Sequence, residues 1–90
     1  MVKQSFFTIN ENKKIAKDVY KMVLEGDVSD IKNSGEFINI KLEGKFLRRP
    51  ISVCDVQNDV LTIIYKVVGD GTEKMAEMAV GTQLDILTGL

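Results

Sequence analysis

Between Phe46 and Thr72 the chain carries two apolar runs back to back, Ile51 to Val56 and Val60 to Val68, parted only by Gln57-Asn58-Asp59. The first alternates as a strand does and the second is nearly uninterrupted, so with a short polar turn between them they predict an antiparallel hairpin. Pro50, which cannot donate to a ladder, predicts a strand start or edge at that point. The second run stops at Gly69-Asp70-Gly71-Thr72, and an amphipathic helix is expected from about Glu73 to Val80. That helix is expected to bury Met75, Ala76 and Ala79, with Thr72 as N-cap and Gly81 as its stop.

The flanking sequence reads as more strands at short spacing. Phe6, Phe7, Thr8 and Ile9 favour a first strand from Lys3 to Ile9, and Asn10-Glu11-Asn12-Lys13-Lys14 has the composition of a hairpin turn. Ile15 to Glu25 is the expected return strand, with Tyr20, Met22 and Leu24 facing inward. Residues 26–35, rich in Gly, Asp, Ser and Asn, read as a loop. Glu36 to Glu43 sets Ile38, Ile40 and Leu42 against Phe37, Asn39 and Lys41; Glu43-Gly44-Lys45 turns the chain, and a last strand is expected over Gln83 to Leu87. Six short strands, one short helix and no repeats predict an all-β fold, a closed or nearly closed antiparallel barrel.

Composition narrows the function by exclusion. Ninety residues suffice for one domain with a core, not for two nucleotide sites. A net charge of -1 provides no field to attract nucleic acid or an anionic membrane. The single Cys54, expected to be a small packed residue, can form neither an internal disulfide nor a cluster site. A reducing, cytoplasmic location is expected from that cysteine usage, from the lack of a long apolar span and from an N-terminus without a signal-peptide core. With no histidine and no carboxylate pair placed as a hydrolytic couple, catalysis is expected to need a cofactor.

Two places carry chemistry rather than packing. Arg48-Arg49-Pro50-Ile51-Ser52 puts cations and a hydroxyl at a strand mouth, where Arg49 offers a planar fork suited to phosphate oxygens; a solvated basic pair and a surface serine are the plainer reading. Gly71-Thr72 offers amides and a hydroxyl at a helix start, where phosphate is favoured, or else a plain turn and cap. Glu73 in the first turn repels phosphate and so must point elsewhere if phosphate binds. Ile64-Tyr65-Lys66 lies on the strand paired with the one bearing Ser52, so a pocket at their shared end is reasonable; Tyr65 is equally well placed as core.

In that order and spacing, Arg49-Pro50-Ile51-Ser52, Ile64-Tyr65-Lys66 and Gly71-Thr72 resemble the three flavin-contacting segments of the ferredoxin reductase-like flavoproteins. Gly35-Glu36-Phe37-Ile38-Asn39-Ile40 is similar to the strand opening of that family, and Gly81 to Leu90 to the strand before its second domain. The wording is most similar to the electron-transfer subunits of class 1B dihydroorotate dehydrogenase. The resemblance implies a Greek-key FAD-binding barrel over residues 1–90. Arg49 and Lys66 would serve phosphate, Lys66 standing where the family often has arginine. Pro50 and Ile51 would meet the isoalloxazine ring, at a position more often aromatic in the superfamily, and Ser52 would lie near the reactive ring nitrogen. Main chain at Ile64, Tyr65 and Lys66 would meet the polar rim of the flavin, and Gly71 and Thr72 the pyrophosphate.

The resemblance further implies a catalytic dihydroorotate dehydrogenase subunit as partner, NAD(H) as acceptor and a two-iron two-sulfur cluster between them. The nicotinamide domain and the cluster segment are expected to lie outside this chain, which reads as cut at Leu90. Alternatives are the related subunits of a sulfide dehydrogenase or an NADH-dependent ferredoxin:NADP oxidoreductase. A different class is a small barrel binding module using Lys13, Lys14, Arg48 and Arg49, which would need stacking aromatics beside those cations.

Overall fold

A computed structural model describes residues 2–31, 35–41 and 49–89, and of residue 49 the backbone. Six strands, β1 (Lys3–Ala16), β2 (Val19–Glu25), β3 (Phe37–Ile40), β4 (Arg49–Gln57), β5 (Val60–Lys66) and β6 (Gln83–Thr88), and one helix, α1 (Asp70–Ala76), make up its regular structure. Every strand pairing is antiparallel, and the order β1-β2-β5-β4-β3-β6 closes on itself through β1 and β6. The expected six-stranded Greek-key barrel with a single short helix is the fold observed.

Alternation builds the interior. Phe7, Ile9, Met22, Leu24, Ile38, Ile40, Ile51, Val53, Leu61, Ile63, Tyr65, Leu84 and Ile86 all point inward and are buried, as period-two strands around a closed sheet require. Val28 and Ile31 of the loop after β2 and Met75 of α1 complete the core. Cys54, expected among the packed residues, is instead exposed. It sits at the irregularity between Val53 and Asp55 on β4, one step out of phase with the buried Val53.

The first hairpin departs from expectation. Asn10 to Lys14 is not a turn; β1 runs on to Ala16, and the reversal is made by Lys17 and Asp18, with Asp18 at φ 56°. The physical reason is a register shift between Ile9 and Glu11. Up to Thr8 the strand pairs with β6, and from Thr8 onward it pairs with β2, so one bent strand serves two neighbours. Beyond the shift Asn12 lies opposite the buried Met22, which puts a polar residue on the inner face.

The helix also starts earlier than expected, at Asp70, with Gly69 and not Thr72 as N-cap. It ends at Ala76, which is half-buried, and Ala79 is exposed. Leu42, the turn over 43–45, Phe46, Leu47 and Arg48 lie outside the described residues.

Gly26, just past the end of β2, is packed directly against Phe7. A Cβ built on it would stand 2.7 Å and 2.8 Å from ring carbons of the fully buried Phe7. Gly26→Ala is therefore expected to lower stability by about 1–3 kcal/mol through overpacking, measurable by urea unfolding.

Candidate functional site

The ladder joining β4 to β5 runs from Gln57–Val60 to Val53–Ile63 and ends there. Both strands continue: residues 49–52 stay paired with β3, and residues 64–66 stay paired with β2. A cleft of about 300 Å³ opens where they part, lined by Phe37, Pro50, Ile51, Ser52, Ile64, Tyr65, Lys66, Val68 and Thr72. Facing main-chain groups of the two segments lie beyond the shared ladder, and such groups need a partner in water or in a ligand.

Proline suits this point for a reason visible in the hydrogen bonding. The Val53 amide donates to the Glu36 carbonyl across the β3 side at 2.8 Å. By alternation the amide position of residue 50 faces away from β3, toward the cleft, so Pro50 forfeits no bond of the β3–β4 ladder.

Of the nine residues singled out from sequence, the cleft brings together seven: Pro50, Ile51, Ser52, Ile64, Tyr65, Lys66 and Thr72. Their side chains divide by face. Pro50, Ser52, Ile64 and Lys66 are exposed outside the barrel, whereas Ile51 and Tyr65 turn into its core. The backbone of Arg49 opens β4 opposite Ile40, and Gly71 lies in α1 without lining the cleft. Two lining residues, Phe37 and Val68, were not picked out from sequence. The signal for Phe37 was available: it is an aromatic in the outward register of a strand whose inward residues are Ile38 and Ile40.

Thr72 shapes the cleft's far end. It is buried, and its hydroxyl accepts from the amides of Val68 (2.8 Å) and Gly69 (3.2 Å) while donating to the Gly69 carbonyl (3.1 Å). The side chain thus folds the loop back onto the helix start, which moves the cap from residue 72 to residue 69. The first-turn amides of Asp70, Gly71 and Thr72 precede the first intrahelical bond, from Glu73 to Gly69 at 2.9 Å. Glu73 lines a different cleft, of about 240 Å³, with Lys14, Asp18, Tyr20 and Glu77, so its carboxylate is not among the groups facing the first.

Asn12 holds this corner together. The Tyr65 hydroxyl donates to Asn12 Oδ1 at 2.8 Å, and Asn12 Nδ2 donates to the carbonyls of Met75 (2.7 Å) and Met78 (3.0 Å) at the end of α1. The Tyr65 ring stacks on Tyr20 with centroids 5.8 Å apart. Burial pushes the Tyr65 hydroxyl up to about 12 from an ordinary value of 10.0. Because the folded value is the higher one, the associated stability is complete below pH 10 and is lost as pH rises toward 12. Tyr65→Phe should remove that part of the alkaline slope in unfolding titrations.

Among the described residues no group of acidic, cysteine or histidine side chains is placed to hold a metal ion, and no helix is long and apolar enough to cross a membrane.

Comparison with known proteins finds relatives for this chain. No protein-family model matches the chain. It is 41% identical over 86 residues to the dihydroorotate dehydrogenase B (NAD(+)) electron transfer subunit of Fusobacterium nucleatum, covering 89% of this chain and 33% of that protein. The subunits of the same name from Bacillus mycoides and Enterococcus faecalis are 41% and 42% identical, across 97% and 94% of this chain and 36% and 34% of theirs. The chain thus spans about a third of the length of the curated relatives it matches.

Among solved structures, an NADH-dependent reduced ferredoxin-NADP oxidoreductase studied for flavin-based electron bifurcation superposes with a TM-score of 0.78 at 28% identity, over 89% of this chain and 30% of that one. The Amycolatopsis cytochrome P450 reductase GcoB shares the fold, with a TM-score of 0.80 at 18% identity over 99% of this chain and 28% of its own. The barrel is of the ferredoxin reductase type.

Proposed function

We propose that this chain, a homologue of the electron transfer subunits of dihydroorotate dehydrogenase B over the third of their length that it spans, is the part of such a subunit that holds FAD. What carries the reading is the coincidence of two independent things. Three sequence segments that resemble flavin contacts converge on one cleft, and that cleft lies where two strands run on past their shared ladder.

The residues present fit a flavin. Facing main chain at Ser52 and at Ile64 to Lys66 suits the polar rim of a planar heterocycle, and the outer side chains Phe37, Ile64 and Val68 give it apolar cover. A bound flavin supplies the redox chemistry, exchanging hydride or single electrons. The chain's own work is to bind and orient it. Ser52 sets a hydroxyl beside the ring, Lys66 adds positive charge at the rim, and Arg49 with the amides of Gly71 and Thr72 serves the pyrophosphate. The Thr72 hydroxyl, committed to Val68 and Gly69, acts by shaping the loop. A cleft of about 300 Å³ is at the small end of ligand pockets, a size for the ring and not for a dinucleotide, so the pyrophosphate would fall to residues beyond it.

At the level of the whole subunit, the reading is a cytoplasmic complex in pyrimidine biosynthesis. In it, electrons from a dihydroorotate dehydrogenase catalytic subunit would reach NAD by way of a two-iron two-sulfur cluster and FAD. The cluster and the nicotinamide site fall to the remaining two thirds of such a protein. The ferredoxin:NADP oxidoreductase alternative has the weaker support, 28% identity against 41%. The nucleic-acid module is disfavoured because Lys14 shares its cleft with Asp18, Glu73 and Glu77.

The test is titration of the purified chain with FAD, with FMN and ATP as comparators. Saturable binding that prefers FAD is expected, weakened about tenfold or more in Arg49→Ala, since a hydrogen bond to a charged group contributes about 1.5–3 kcal/mol. Failure of both this chain and one extended to the full length of its relatives to bind FAD would overturn the reading.

A further inference from the structure

We infer that Phe37 is the aromatic wall of the cleft and lies against the planar ring of the bound flavin, an inference that rests on the FAD reading above. Ile51 turns most of its side chain into the barrel and is only 9% exposed, so it gives the cleft no more than a narrow edge. Phe37 offers the broad apolar face that Ile51 does not. It pairs across β3 and β4 with Ser52. The neighbouring Glu36–Val53 pair carries the ladder hydrogen bond, which makes Phe37–Ser52 the close, non-hydrogen-bonded kind of pair, with side chains side by side on the outer face.

Its exposure points the same way. Phe37 is 57% exposed, and the other two large apolar side chains around the cleft, Ile64 and Val68, are 44% and 60% exposed. Three uncovered apolar groups around one concave site, one of them a ring beside a hydroxyl, are what a flat, largely apolar heterocycle with a polar edge requires. Phe6, 62% exposed on β1, has no place in that cleft and serves as the control position.

The test compares Phe37→Ala, Phe37→Trp and Phe6→Ala in FAD titrations, with circular dichroism to establish that each variant folds. Phe37 lies outside the core, so its replacement leaves the barrel interior intact. Phe37→Ala should raise the Kd for FAD about five- to tenfold, the range of an aromatic stacking contact, and Phe6→Ala should leave it unchanged. Phe37→Trp introduces the protein's only tryptophan. It should keep the wild-type Kd while further quenching the emission of the bound flavin, because an indole quenches an excited flavin by electron transfer on contact.

A Kd within twofold of wild type for Phe37→Ala would overturn the inference and leave the ring to a protein contact. Weakened binding by Phe37→Ala with unchanged flavin emission in Phe37→Trp would also overturn it, since the residue would then act through its strand. If the wild-type protein binds no FAD, the flavin reading itself fails and this inference with it; if wild type binds and only the Phe37 outcomes fail, the reading stands.

Discussion

Replacing Asn12 with alanine is expected to lower the unfolding free energy by about 2–3 kcal/mol, because one deletion strands two groups and weakens a third. The Tyr65 hydroxyl loses its acceptor and the Met78 carbonyl just past α1 loses its donor, while the Met75 carbonyl keeps only the Met78 amide at 3.2 Å. An orphaned polar group of this kind costs about 1–3 kcal/mol, and the lower part of that range applies since these contacts are only partly buried. Urea unfolding is the measurement, and a loss under about 1 kcal/mol would mean that water replaces the amide. Asn12→Asp separates the amide from the shape: a carboxylate facing two helix carbonyls is repelled by them and by the negative end of the helix, so it should be no better than alanine. Because α1 is pinned at its end by Asn12, FAD binding should weaken alongside stability in both variants.

Phe7→Ala is expected to be the most damaging single truncation, at about 3–5 kcal/mol. Phe7 is fully buried and its ring covers the backbone at Gly26. A chain of this size has roughly 5–13 kcal/mol of stability in all, so the loss should appear as a melting temperature lower by roughly 4–8 °C per kcal/mol. The pair also predicts coupling. In the Phe7→Ala background the Gly26→Ala methyl has room, so the double variant should be more stable than the sum of the two losses implies. Simple additivity would show that the two sites do not touch.

Legibility differed along the chain for physical reasons. Strands β2, β4, β5 and β6 were legible because each buries one face, so period-two alternation survives in Met22 and Leu24, Ile51 and Val53, Leu61 and Ile63, and Leu84 and Ile86. The second half of β1 was not. Its register shift breaks the alternation, and the residue it turns inward is Asn12, which is there for hydrogen bonds to a helix distant in sequence. Polar composition alone reads as a turn. The helix start was misplaced by three residues because two glycines suggest a loop, whereas the Thr72 hydroxyl bonds backward and draws Asp70 and Gly71 into the helix. Most of the cleft was legible because its residues come in contiguous runs at the ends of two neighbouring strands. Phe37 was legible only in part: its outward place on β3 could be read from alternation, but its pairing with Ser52 is a cross-strand register, and register cannot be read from one strand.

Where β4 and β5 run on without each other, the barrel has two short lengths of uncovered strand edge, and such edges invite pairing with another copy of the chain. This one is defended on both sides. Pro50 takes away an amide on β4, and Lys66 sets a charge outward on β5. The opening proposed to hold a cofactor would otherwise be a nucleus for self-association. The proline beside the arginine therefore guards solubility whenever the cleft is empty, during synthesis above all.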